Sequence, residues 1–165
     1  MSIEDCKAIM EQMKEDRKTA ELYLIKYNEL KMKYEKAKAE ALSEERKQKK
    51  GEGKNPTQRK AVDSVAYDEA SVEYEWLKAA EITQRSLGER KNIFIQVRRE
   101  AERSNKNCPG RHGWVLYVQR RYEQEIENRF LSASGWMSYA TIRNWWKDMV
   151  DRAVEIHLRI KSQKN

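Results

Sequence analysis

Cysteine, proline and glycine are scarce in this chain of 165 residues, which has two, two and six of them. Cys6 and Cys108 are too few and too far apart for a disulfide framework, which fits a reducing compartment. With so little material for tight turns, long helices joined by few connections are expected. Soft metal ligands are equally few. Cys108 and His112 have a plausible spacing, but a structural zinc site needs four ligands and only Cys6 and His157 remain, so no metal or cofactor is expected. No apolar run approaches the ~20 residues of a membrane span. The N-terminal "MSIEDCKAIM" lacks the basic region followed by an apolar stretch that marks export, so a cytoplasmic protein without membrane attachment is expected. Glycine-rich phosphate loops, nucleophile elbows and paired-histidine motifs are also missing. Acids such as Glu125 and Glu127 read as solubilising rather than catalytic, and the chain does not read as an enzyme.

Charge is what the sequence has in abundance. Charged residues make up 37% of it and mean hydropathy is −1.03, yet Trp, Tyr, Leu, Ile, Val and Met recur at regular intervals. That pattern argues for amphipathic helices rather than disorder. The net charge of +7 favours an acidic partner: nucleic acid, an anionic membrane surface or an acidic protein.

Residues 2–42 read as one helix capped by Ser2, with Glu4 and Asp5 in the first turn where the helix dipole favours acids. Ile3, Cys6, Met10, Met13, Ala20, Leu24, Tyr27 and Tyr34 form a heptad-like stripe interrupted by Arg17 and Lys31. A helix of about 40 residues is about 60 Å long and needs a partner. Residues 62–87 supply one, with Val62, Val65, Val72, Trp76, Ala79 and Thr83 on the same spacing. Between them "SEERKQKKGEGKNPTQRK" reads as a solvated loop, with a basic finger along phosphates as the sharper alternative. A third helix, about Glu89–Ser104, is read as continuous with the second or gently bent at Leu87-Gly88. "SNKNCPGRHG" is a connector. Four of five tryptophans follow it, which places the aromatic core in the C-terminal part. The expected architecture is all-α, with an antiparallel helical hairpin over 1–104 and a helix-turn-helix domain over 111–165.

In the last helix, "SYATIRNWWKDMVDRAVEI", residues Ile142, Trp146, Met149, Ala153, Ile156 and Ile160 form the core stripe. Trp145 lies about 60° aside, from helical geometry. Arg143, Asn144 and Lys147 point away from the stripe. These residue types suit base and phosphate contacts: Arg bonds guanine bidentately, Asn bonds adenine, and Lys holds phosphate or guanine. Helix-turn-helix proteins place the start of their second helix in the major groove. Arg120, Arg121, Arg129, Ser138 and Tyr139 are the expected phosphate contacts. The opposing view is that any solvated helix face carries Arg, Asn and Lys, and Asp148, Asp151 and Glu155 dilute the field.

The order of a charged helical hairpin, then "LYVQRRYEQEIENRFL", then "SYATIRNWWKDMVDRAVEI" resembles phage transcriptional regulators of the RinA and ArpU type. Their C-terminal part is similar to region 4 of a sigma factor. The resemblance rests on an "RRY", a Ser-x-x-Thr opening to the last helix, and the Arg152-Ala153 pair, and it covers about 45 residues. It implies promoter binding by Tyr139, Thr141, Arg143, Asn144 and Lys147, and leaves contact with RNA polymerase open. The chain departs from the family in having "EIENRFLSASGWM" where a clearer entry to a Gly-turn is usual.

Two further readings compete with a regulator of duplex DNA. One is a helical protein-interaction module, such as a phage-encoded inhibitor of a host or defence complex. It requires a tyrosine and methionine stripe on residues 3–34 left uncovered. The other and lesser is a small terminase subunit. A homodimer through the hairpin is compatible with the first reading, because two-fold symmetry doubles phosphate contacts.

Overall fold

A capping box starts the chain's first helix: Ser2 Oγ accepts from the Asp5 amide at 3.1 Å, and Asp5 Oδ2 accepts from the Ser2 amide at 2.7 Å. The computed structural model describes residues 2–48, 56–104, 113–131 and 133–164. Among them it has seven helices and no strand, the all-α class expected from the hydrophobic periodicity. The helices are α1 (Ile3–Ile25), α2 (Tyr27–Gln48), α3 (Pro56–Ala70), α4 (Val72–Arg85), α5 (Glu89–Arg103), α6 (Gly113–Arg129) and α7 (Tyr139–Ser162). The middle of the expected basic loop, Gly51 and Gly53 included, and the connector holding Cys108 and His112 lie outside the described residues.

Three breaks divide what the sequence presents as longer helices. The first, at Lys26, has a buried cause. Arg99 of α5 donates Nε to the carbonyl of Leu24 at 2.8 Å and Nη2 to Gln84 of α4 at 3.0 Å. Its guanidinium thus bonds a carbonyl in the last turn of α1, where intrahelical donors run out. The second break is capped by Ser71, whose hydroxyl accepts from the Tyr74 amide at 3.2 Å. The third overturns the expectation of continuity at Leu87-Gly88. Gly88 is the N-cap of α5, and Asn92 folds its side-chain amide back onto the Leu87 carbonyl at 2.9 Å.

The chain does turn back on itself between α2 and the α3–α4 pair. There Tyr34 and Lys38 of α2 both bond Asp68, at 2.6 and 2.8 Å. The two regions expected on either side of residues 104–111 nevertheless share one core. α7 packs most extensively on α4, then on α1, and less on α6. One hydrophobic cluster joins Leu24, Trp76, Phe94, Val118, Ile126, Ile142 and Trp146. The aromatic core is therefore not C-terminal alone, because Tyr23, Tyr34, Trp76 and Phe94 belong to it. Covering each large apolar side chain contributes about 1.5–3 kcal/mol, and the long stripe of α7 has room for more than one neighbour.

The link between α6 and α7 also differs from expectation. It runs through residues 130–138, longer than the three or four residues that join the helices of a helix-turn-helix. The segment lies tight on α6: a Cβ on Gly135 would come within 2.8 Å of Glu123 Cα and Ile126 Cβ. Gln119 donates its side-chain amide to the Met137 carbonyl at 2.8 Å. Trp136, placed by the sequence in the turn, is exposed, whereas Met137 is buried.

Candidate nucleic-acid interface

α7 opens with Ser138 as its N-cap, the hydroxyl accepting from the Thr141 amide at 3.1 Å and lying 2.9 Å from Thr141 Oγ1. Both hydroxyls expected to meet nucleic acid are thus engaged in starting the helix. One turn later the apolar stripe turns Ile142 and Trp146 inward, so that Arg143, Asn144 and Lys147 are all exposed. Tyr139 is exposed beside them.

α1 lies alongside and widens this face into a groove of about 510 Å³, lined by Lys14, Arg17, Lys18, Arg143 and Lys147. Glu21, Trp114, Trp146 and Val150 complete it, so five cations face one carboxylate. Their availability differs. Arg17 pairs with Asp151 of α7 and holds the two helices together. Lys18 pairs with Glu15 at 2.6 Å on the open surface, a contact weak enough to exchange for a phosphate. Lys14, Arg143 and Lys147 form no ion pair among the described residues.

The floor of the groove is fixed by a buried cation. The Arg98 guanidinium sits 4.3 Å from the ring centre of Trp114 and 5.0 Å from that of Trp146. Burial lowers its pKa, while Glu102 and Glu21 act in the opposite direction. Glu21 accepts the indole N–H of Trp146 at 2.7 Å and lies 3.8 Å from Arg98 Nη2. This lone carboxylate is therefore turned to structural contacts, which leaves the rim basic.

The expected contacts on α6 do not join the groove. Arg121 is held between Glu100 at 3.3 Å and Glu125 at 2.5 Å. Burial alone would lower its pKa, but these two carboxylates raise it. Arg129 also pairs with Glu125, at 3.2 Å, and Arg120 is exposed but does not line the groove. Lys14, Lys18 and Trp114 are the residues that sequence reasoning missed. One signal pointed to them: Arg17 interrupts the apolar stripe of α1, and it does so because that position meets Asp151.

Trp145 borders the core, edge-on to Phe94 and Tyr122 with ring centres 5.5 and 6.1 Å away, and Lys91 lies over it. Beside it a wider cleft of about 820 Å³ has Leu87, Phe130, Trp145 and Met149 on its walls and charges of both signs at its rim. Among the described residues no three His, Cys, Asp or Glu side chains are grouped to hold a metal ion. None of the described helices is long and apolar enough to cross a membrane. Compared with protein-family models, curated protein sequences and solved structures, the chain matches none.

Proposed function

We propose that the protein binds duplex DNA, with Arg143, Asn144 and Lys147 reading bases and Lys14 and Lys18 holding phosphates. The observation that carries this reading is the convergence of two helices on one basic face. Among the described residues its cations from α7 and Lys14 form no ion pair with the protein's own acids. Phosphate contacts position a protein on a duplex and base contacts specify the sequence, and the face offers both in adjacent rows. The long α6–α7 link moves the reading away from a helix-turn-helix docking and towards one in which α1 and α7 approach the duplex together. Regulation of transcription, as in the phage regulators the sequence resembles, is the role that follows.

Selection of the purified chain on a random duplex library, then salt titration of the retained sequences against a scrambled duplex, tests this. An enriched motif whose advantage disappears in Arg143→Ala supports base reading by α7. Equal binding to every duplex, or none, overturns it.

One observation favours the alternative of a protein-interaction module. Ile3, Met10 and Met13 of the α1 stripe are exposed, although Tyr23, Leu24 and Tyr34 of the same stripe are buried.

A further inference from the structure

The first half of α1 is helical without support from the rest of the chain. Every residue from Ser2 to Glu15 is exposed, and α1 begins to be covered only at Asp16. A free helix of this length is marginal in water, since isolated helices shorter than ~12–15 residues rarely hold. It also presents an apolar face to solvent: Ile3 is 77% exposed, and Met10 and Met13 are each 59% exposed. Cys6 lies exposed between them. This face continues the stripe that the body buries further on, where Ala20 and Leu24 follow at the same spacing.

We propose that a second copy of this chain covers this face with its own, in an antiparallel pair of α1 segments related by a two-fold axis. The face is self-complementary in that arrangement. Ile3 lies against Met13 of the second copy, and Cys6 against Met10 of the second copy. Such a two-fold axis makes each flank of the helix face itself. One flank reads Glu4, Lys7, Glu11, Lys14. Run antiparallel, it sets Lys7 beside Glu11 of the second copy, once on each side of the two-fold axis. Run parallel, the same flank faces Ser2, Asp5, Ile9 and Gln12, and that alternation of charge finds no match.

The overlap also ends where it must. Met13 meets Ile3 of the second copy before Asp16, where each α1 enters its own body, so the two bodies lie at opposite ends of the pair. At 1.5 Å per residue the overlap is roughly 16 Å long. Three turns of helix against three bury less than the ~1,200 Å² typical of stable interfaces, so the pair forms reversibly.

Sedimentation of the full chain over a range of micromolar concentrations should show a monomer converting to a dimer. Met10→Glu with Met13→Glu should leave the thermal midpoint of the body unchanged and abolish the dimer, with any loss of helicity confined to the first half of α1. Lys7→Glu alone should weaken it roughly tenfold, and adding Glu11→Lys should restore it. Orientation is read with Cys108→Ser as background. Met10→Cys should oxidise to a covalent dimer bridged between Cys6 and position 10. Without that substitution Cys6 should not bridge to its own copy, because an axial offset of four residues, about 6 Å, added to the gap between the two helices takes the Cα separation beyond the ~7 Å reach of a disulfide. A chain that stays monomeric, association indifferent to Met10→Glu and Met13→Glu, or a ready Cys6 to Cys6 bridge would each overturn the proposal.

Discussion

Trp146 donates its indole N–H to Glu21 at 2.7 Å, joining α7 to a helix 125 residues earlier in the chain. Its neighbour Trp145 makes no such bond, although both rings look alike in the sequence. Trp146→Phe should cost about 1–2 kcal/mol, because it removes the indole hydrogen bond to a carboxylate and thins the stack on Arg98. Glu21→Ala should cost a similar amount, and the double variant less than their sum. A double-mutant cycle by urea unfolding reads the coupling, and strict additivity would deny the bond any energetic role.

Gly135 is the second sensitive point. Gly135→Ala pushes a methyl group against the backbone of Glu123 and the side chain of Ile126, both at 2.8 Å. Moving the connector off α6 should cost about 1–3 kcal/mol, as overpacking does. The expected readout is a lower urea midpoint with an unchanged slope.

Acid should weaken the fold through His157. Its ring stacks on Trp76 with centres 3.6 Å apart, and its Nε2 lies 3.3 Å from Glu75 Oε2. Burial lowers its pKa below the ordinary 6.5, although Glu75 and Asp16 pull it upward. As pH falls through 6.5 the unfolded chain takes up this proton before the folded one does. Stability is therefore full above that pH and declines below it. Glu75 acts in the same sense at lower pH: burial would raise its pKa, but Lys164 and His157 together bring it down from 4.5. Unfolding free energies measured between pH 7 and 5 should fall, and His157→Phe, which keeps a ring on Trp76, should flatten the slope.

For the proposed DNA contact, the two rows of the face should separate in salt. Lys14→Ala and Lys18→Ala should weaken all duplexes alike and each lower the slope of log affinity against log salt by about 1. Arg143→Ala should cost about 1–3 kcal/mol on the preferred sequence and relax one base position. Filter binding at several salt concentrations distinguishes the two. Loss of sequence preference in Lys14→Ala would reverse the assignment.

The helical class, the cap at Ser2, the inward stripe of α7 from Ile142 to Ala153 and the exposure of Arg143, Asn144 and Lys147 were all legible, because each follows from local spacing; beyond Ala153 the buried face shifts to His157, and Ile156 and Ile160 are only half-buried. Ser71 was legible in principle, as a serine followed by Glu73 and Glu75 ahead of an apolar run. The break at Lys26 was not, since nothing in "LYLIKYNEL" stops a helix and Arg99 arrives from a distant one. The partnership of Lys14 and Lys18 with Lys147 was hidden for the same reason. Period gives the face a residue occupies, and only packing decides which helix lies across from it.

The place of α7 at the centre of the bundle has a consequence for synthesis. Its apolar stripe covers α1 and α4, yet it is made after both. While the ribosome is still adding the first hundred or so residues, those two helices carry faces that nothing in the nascent chain can cover. Contacts so far apart in sequence also slow closure once they become available. During translation, then, the chain passes through a stage in which it is helical but open. A chaperone that shields apolar surface would have its best opportunity there.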